Sequence, residues 1–182
     1  MKTVSEEYGK YLFKCLLESR EYFFVWGYIL ENGDDFLLMD ESNSKLLFFC
    51  NFDDLKKFIL NNHEIDELFK WVCKYEFKED EIEIVDLNFY ITLKRIRRKI
   101  NNNNVIWSKI SLLLELFSDI KYITNSEIND DINIVLEKIR DKHNDNFIWK
   151  NVENLDLTLD KKELKAIEFI SKFIERSITI IN

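Results

Sequence analysis

The side chains best suited to chemistry in this sequence are carboxylates, and many of them fall within one short stretch. From Tyr28 to Leu55 the sequence reads YILENGDDFLLMDESNSKLLFFCNFDDL, with one lysine to balance its acidic residues. These acidic residues are Glu31, Asp34, Asp35, Asp40, Glu41, Asp53 and Asp54. Carboxylates can act as an acid/base pair, hold a divalent metal ion, or form a solvated face that attracts a basic protein.

A second candidate is Glu76-Phe77-Lys78, whose E-x-K spacing puts the carboxylate and the lysine on the same side of a strand. Together with an upstream acid such as Asp54 or Asp66, it could hold a metal ion and activate water for nuclease chemistry. The sequence lacks a convincing aspartate on an adjoining buried strand. We therefore favour a solvated, charged segment here over a metal-dependent nuclease.

Other familiar chemistries find little support. The two histidines, His63 and His143, are too few and too far apart for a zinc site. The three glycines occur singly, so no phosphate-binding loop is indicated. We expect no metal, no cofactor and no enzymatic activity.

The formal net charge of -8 is unevenly distributed. Residues 1–91 hold 20 acidic against 10 basic residues, whereas residues 92–182 hold 14 against 16. An acidic surface repels nucleic acid phosphates and attracts basic proteins. We therefore expect that the first half does not bind nucleic acid directly and that its partner is a basic protein.

The sequence predicts a cytoplasmic protein without a membrane partner. Its N-terminus lacks a basic flank followed by an apolar run, and its longest apolar runs are about half the length of a membrane helix. Cys15, Cys50 and Cys73 are widely spaced without a CxxC pair, which predicts reduced, mostly buried thiols.

The first half is predicted to hold an opening helix and a small sheet. Thr3 and Glu6 have the spacing of a capping box, and the apolar residues behind them predict a helix over residues 4–19. Three apolar runs separated by turn residues then predict an antiparallel meander with strands at 22–30, 36–41 and 45–50. A short helix should begin at Asn51 or Asp53. Residues 71–78 could form a fourth strand or a helix.

The second half is predicted to be helical. Apolar residues at spacings of three and four predict about four amphipathic helices, which begin near Phe89, Ile106, Ser126 and Asp160. The basic run Lys94–Lys99 lies on the first of them, and we expect it to pack beside the acidic segment 76–86 of its own chain. The alternative is that this basic helix contacts nucleic acid.

Together these elements predict a single α+β domain over residues 1–182. Residues 1–86 form its sheet-containing acidic half and residues 87–182 its helical half, packed on the sheet or as a bundle. We expect a monomer or a weak dimer.

The acidic residues are predicted to spread over this surface rather than to converge in a cleft. A catalytic pair requires carboxylates held close together, whereas a wide acidic field suits docking to a basic protein. Tyr28, Phe36 and Trp71 would supply aromatic anchors near this field. The predicted contact residues are Glu31, Asp34, Asp35, Asp40, Glu41, Glu76, Glu79, Asp80 and Glu81.

The aromatic-rich meander YFFVWGYILENGDDFLLMDE, followed by NFDDLKKFI, resembles the immunity proteins that protect bacteria from polymorphic and contact-dependent growth-inhibition toxins. The resemblance covers residues 20–60. It implies a non-catalytic protein that binds the C-terminal toxin domain of a neighbouring gene product, commonly a basic nuclease, and blocks it. A generic acidic adaptor module would have the same sequence features.

Overall fold

The computed structural model describes residues 2–40, 42, 44–62, 66–96, 100–101, 104–147, 156–157 and 159–181. Its helices and sheet strands confirm the predicted α+β class. The chain divides into two compact units. Unit 1 consists of residues 1–85 and 177–182, and unit 2 consists of residues 86–176.

Unit 1 is built on a seven-stranded mixed sheet. Its strands are β1 (Lys10–Leu17), β2 (Arg20–Tyr28), β3 (Asp35–Leu37), β4 (Met39–Asp40), β5 (Lys45–Phe49), β6 (Glu83–Asp86) and β9 (Ile178–Ile181). The order is β4-β5-β2-β1-β6, with β3 also paired to β2 and β9 to β5. The predicted meander is present, although Leu38 interrupts its middle strand.

The predicted opening helix is wrong beyond its first turns. Helix α1 (Val4–Tyr8) starts with the expected capping box between Thr3 and Glu6, but it ends at Gly9, which adopts a left-handed conformation. The next residues form β1, which pairs antiparallel with β2 from Lys10 opposite Gly27 to Leu17 opposite Arg20. The apolar residues of this segment fit both the helical repeat and the strand repeat. The lysines at the inward-facing positions of β1 conceal the alternation that is typical of a strand.

Two helices and the sheet enclose the apolar core of unit 1. Helix α2 (Phe52–Asn61) is capped by Asn51, whose side chain accepts a hydrogen bond from the Asp54 amide. Helix α3 (Asp66–Lys74) buries Trp71 completely, so the fourth-strand alternative for residues 71–74 is wrong. Both helices contribute buried side chains to a cluster shared with strands β1, β2 and β5.

The C-terminal strand β9 was not anticipated from the sequence. It pairs in parallel with β5, from Leu46 opposite Ile178 to Phe49 opposite Ile181. The chain thereby returns to unit 1 after the helices of unit 2.

Unit 2 contains the predicted amphipathic helices. They are α4 (Phe89–Ile96), α5 (Asn104–Ile123), α6 (Asp130–Phe147) and α7 (Lys161–Arg176); the two-residue strands β7 (Ile100–Asn101) and β8 (Asp156–Leu157) pair with each other. Helix α7 packs against the other three. Its first turn is held by Asp160 and the fully buried Glu163, which form a reciprocal capping box. No helix in the described part of the chain is long and apolar enough to cross a membrane.

Candidate functional site

The predicted contact residues in the β2–β3 connection lie on an exposed hairpin turn. Ile29 and Asp34 close the turn through a 2.8 Å hydrogen bond from the Ile29 amide to the Asp34 carbonyl. The Asp34 carboxylate accepts a 2.6 Å hydrogen bond from Asn32, and Asp35 pairs with Tyr28 at the start of β3. Glu31, Asp34 and Asp35 are all exposed. The turn presents three carboxylates to solvent and uses one of them to fix its own shape.

The next acidic residues are engaged in turn and cap interactions. Asp40 pairs with Lys45 across β4 and β5, and its carboxylate accepts hydrogen bonds from the Ser42 amide and hydroxyl. Asp54 accepts a hydrogen bond from Asn51 and lies 3.6 Å from Lys57. Asp53 is exposed in the first turn of α2. Glu41 lies outside the described residues.

Glu76 and Lys78 are both exposed in a short connection without regular secondary structure, which joins α3 to a 3₁₀ turn (Glu79–Glu81). They do not lie on a sheet strand, as the nuclease alternative requires. Lys78 forms a 2.9 Å ion pair with Glu81. The proposed third ligands have other neighbours: Asp54 bonds Asn51, and Asp66 forms an ion pair with Lys70. Within the described parts of the chain, no group of three or more His, Cys, Asp or Glu side chains could hold a metal ion.

A buried lysine joins two of the acidic segments. The Lys14 ammonium on β1 lies 2.8 Å from the Glu21 carboxylate on β2 and 2.7 Å from the Glu79 carboxylate. Only 4% of Lys14 is exposed, although both carboxylates reach solvent. The hydrogen bonds that Lys14 donates to Glu21 and to Glu79 raise the pKa of Lys14 above its ordinary value. Lys14 therefore remains a cation and holds the Glu79–Glu81 turn against the sheet.

A second lysine on the same face of β1 is completely buried. The Lys10 ammonium donates a 2.6 Å hydrogen bond to the Tyr28 carbonyl, lies 3.3 Å from the Glu67 carboxylate and sits over the Phe36 ring. Burial lowers the pKa of Lys10, and the hydrogen bond with Glu67 partly opposes this effect. Sequence analysis did not single out either lysine. Their spacing of four residues within an apolar run could have indicated that both lie on the same face of a strand, because residues i and i+4 share one face.

Burial of the two lysines increases the difference in surface charge between unit 1 and unit 2. Unit 1 carries 19 acidic and 10 basic residues, a formal charge of -9, whereas unit 2 carries 15 and 16, a charge of +1. Because Lys10 and Lys14 are buried, two of the ten cations of unit 1 do not reach its surface. Glu31, Asp35, Glu76 and Asp80 are exposed and have no ion-pair partner among the described side chains. Unit 1 thus presents a surplus of solvated carboxylates.

Some sequence-based expectations about this surface need correction. Phe36 and Trp71 are buried and Tyr28 is half-buried, so the first two are unavailable as anchors. Leu30 and Phe77 are instead exposed, and each lies next to an acidic residue of the predicted contact surface. Cys50 and Cys73 are exposed, and Cys15 alone is buried as predicted.

The basic helix also differs from expectation where it is described. Lys94 of α4 forms its ion pair with Glu168 of α7 rather than with the acidic segment 76–86. Residues 97–99 of the basic run lie outside the described residues, as do residues 63–65, which include His63.

The fold is similar to that of the C-terminal domain of SatS, whose crystal structure was determined in complex with bromine. The two share 10% sequence identity at a TM-score of 0.59, over 97% of this chain and 96% of that chain. No family model and no curated protein matches this chain. The similarity to the SatS domain is therefore one of fold alone.

Proposed function

We propose that this chain is a non-catalytic immunity protein that binds and neutralises a basic bacterial toxin domain. The single observation that carries the proposal is the surplus of solvated carboxylates on unit 1. The contact surface would comprise the exposed turn at Glu31, Asp34 and Asp35 together with the acidic segment around Glu76 and Asp80. Such a protein would act in the cytoplasm, where it would meet the toxin after entry.

The spread of these carboxylates favours binding over catalysis. An active site gathers acids around a cleft, where desolvation and mutual repulsion shift their pKa values. The exposed acids of the proposed surface instead occupy a hairpin turn and the segment from Glu76 to Asp80, both open to solvent. An extended anionic surface accelerates association with a cationic partner and orients it, because charges of opposite sign attract at long range.

Apolar side chains within the same surface would provide the short-range part of binding. Leu30 directly precedes Glu31, and Phe77 directly follows Glu76; they are 45% and 41% exposed. Apolar anchors that are desolvated on binding supply much of the affinity of a protein interface, while surrounding charges supply specificity and speed. Each acidic segment of the proposed surface therefore carries an anchor of its own.

The test of this proposal is neutralisation of a toxin domain encoded beside the gene for this chain. The C-terminal domain of the upstream gene product is expressed from an inducible promoter in a host that lacks the immunity gene. Co-expression of this chain should restore growth, and the two purified proteins should form a stable complex. Toxicity that persists despite soluble co-expression, with no complex formed, would refute the proposal.

A nuclease assay separates this proposal from the enzyme alternative. Purified protein is incubated with DNA and with RNA in the presence of Mg²⁺ or Mn²⁺. We expect no cleavage above that of a Glu76→Ala variant. Metal-dependent cleavage that the Glu76→Ala substitution abolishes would replace the immunity proposal with an enzymatic one.

A further inference from the structure

Strand β9 (Ile178–Ile181) has a partner strand along one of its edges and none along the other. Among the described strands it pairs with β5 alone. None of its four residues is buried, and Ile180 is 38% exposed. An unpaired strand edge displays a row of N–H and C=O groups that can accept a further strand. The open edge of β9 is therefore a potential interaction surface of unit 1.

The register of β9 with β5 identifies the backbone groups on the open edge. The Leu46 amide donates a 2.7 Å hydrogen bond to the Ser177 carbonyl, and Leu46 lies opposite Ile178. Alternate residues of a strand bond to a given parallel neighbour, so Ser177 and Thr179 bond towards β5. Ile178 and Ile180 consequently direct their N–H and C=O groups away from β5. No described residue outside the strand forms a hydrogen bond with these groups.

The open edge of β9 is complementary to the same edge of a second copy. When two copies run antiparallel about a two-fold axis at Thr179, Ile178 of each copy lies opposite Ile180 of the other. Each of these pairs exchanges two N–H···O=C hydrogen bonds, so every outward-facing group of Ile178 and Ile180 is satisfied. No other register within the strand satisfies both residues. The two Thr179 residues face each other on the axis, and β-branched side chains that lie opposite one another stabilise antiparallel pairs.

The charges of unit 1 favour a second copy as the occupant of this edge. β9 contains no charged residue, so two copies can meet along it without bringing like charges together. By contrast, β6 at the end of the strand order carries Glu83 and Asp86, and self-pairing there would oppose carboxylates. A basic partner is attracted to solvated carboxylates, which β9 does not offer.

We propose that β9 is a dimerisation edge, along which the sheets of two copies of this chain join antiparallel. A two-fold contact uses the same edge of both copies and is closed, so association stops at the dimer. The strand is only four residues long, which makes the contact smaller than that of a stable dimer. We therefore expect a dissociation constant of about 0.1–1 mM. The contact does not depend on the proposed toxin partner, because this chain supplies both of its sides.

Sedimentation equilibrium of the full chain measures the association itself. Between about 10 μM and about 1 mM protein, the data should fit a monomer–dimer equilibrium without larger species. Each copy carries a formal charge of -8, so salt that screens the mutual repulsion should strengthen the dimer. A protein that stays monomeric at the highest concentration, or one that forms a series of larger species, would overturn the proposal.

Disulfide cross-linking tests the register. The exposed Cys50 and Cys73 are first replaced by serine. Thr179→Cys then places a thiol on the two-fold axis, where facing residues have Cα atoms about 4.5 Å apart, within the span of a disulfide. Ile180→Cys is the matched control, because its two thiols lie off the axis and each faces Ile178 instead. Under mild oxidation, Thr179→Cys should form covalent dimers at least about tenfold faster than Ile180→Cys. Equal rates, or a faster Ile180→Cys, would contradict the proposed contact.

A proline variant tests the backbone hydrogen bonds. Ile180→Pro removes an N–H that points away from β5, and an edge strand tolerates proline at such a position. Ile180→Val is the control, since it retains both the N–H and a β-branched side chain. Urea unfolding should show that both variants fold, and the proline variant should dimerise at least about tenfold more weakly than the control. Equal dimerisation of the two variants would count against the proposal, and the cross-linking test stands even if Ile180→Pro does not fold.

Salt separates self-association from the proposed toxin binding. The dimer should become stronger as salt rises, whereas association with a basic toxin domain should become slower. A β9-dependent dimer in a protein that neutralises no toxin would refute the immunity proposal and leave the dimerisation edge standing. Neutralisation by a protein that stays monomeric would have the opposite meaning.

Discussion

Lys14 and Glu79 are separated by 65 residues in sequence, yet the Lys14 ammonium lies 2.7 Å from the Glu79 carboxylate. The ion pair connects an inner position of β1 to the exposed 3₁₀ turn of the acidic segment. Glu21 contacts the same ammonium at 2.8 Å. Glu79 is therefore a structural member of the acidic surface, whereas its neighbour Asp80 is exposed and has no ion-pair partner among the described residues.

Replacing Lys14 with methionine should destabilise the protein by about 1–2 kcal/mol at pH 7, because two hydrogen bonds to carboxylates are lost while the carboxylates remain hydrated. The pH dependence gives a sharper test. Since the folded-state pKa of Lys14 is raised, its contribution is fully present below the unfolded-state pKa of about 10.4 and is lost as pH rises through the folded-state value. Urea unfolding from pH 9 upward should show this loss in the wild type and not in the Lys14→Met variant. Parallel pH profiles would contradict the assignment.

Lys10 should show the opposite pH dependence. Burial lowers its folded-state pKa, so the folded protein releases the proton first and gains stability as pH rises from that value towards about 10.4. At pH 7, Lys10→Met should cost about 1–2 kcal/mol, because the Tyr28 carbonyl loses its 2.6 Å donor. The matched control is Lys70→Met, which removes an exposed helical ion pair and should cost less than about 0.5 kcal/mol. Equal costs for the two variants, measured by urea denaturation, would show that Lys10 has no special role.

Gly27 should tolerate no side chain. A Cβ atom at this position would lie 2.0 Å from the Gly9 carbonyl oxygen on the adjoining backbone, where β1 and β2 begin to pair. Gly27→Ala should therefore cost about 2–3 kcal/mol in free energy of unfolding. Gly33→Ala is the control, since it meets no atom within 4 Å but has a φ of +78°. The control should cost about 1 kcal/mol, and an equal or larger loss in it would contradict the close approach.

The sequence pattern was sufficient for elements with one apolar face and clear ends. The helices of unit 2 have that character, whereas the strands of the meander are apolar runs bounded by turn residues, and β2 and β5 are buried on both faces. The class and order of these elements were predicted correctly. The pattern failed at β1, because the residues on its inner face include Lys10 and Lys14. Hydrophobic periodicity does not predict that a lysine is buried when its ammonium group is hydrogen-bonded to carbonyl and carboxylate oxygens.

Long-range relationships could not be predicted for a different reason. The parallel pairing of β9 with β5 joins segments more than a hundred residues apart, and the local sequence of either strand does not specify its partner. The same limit applies to Lys14, since nothing near residue 14 indicates that its partner is Glu79. The acidic character of the first half was visible from composition, but its division into structural and solvated carboxylates required the fold.

The most direct test of the acidic-surface account is the salt dependence of the association rate with the toxin domain encoded upstream. The test variant is Glu31→Lys, Asp35→Lys, Glu76→Lys and Asp80→Lys. It spares Glu79, which holds Lys14, and Asp34, whose carboxylate accepts a hydrogen bond from Asn32 within the turn. The control variant is Glu115→Lys, Glu127→Lys, Asp141→Lys and Glu175→Lys, which changes the net charge equally through exposed residues of unit 2. At low salt the test variant should associate at least about tenfold more slowly than the wild type and lose most of its salt dependence, whereas the control should retain both the rate and its slope. Equal rates and equal salt slopes for the wild type and the test variant would contradict the account.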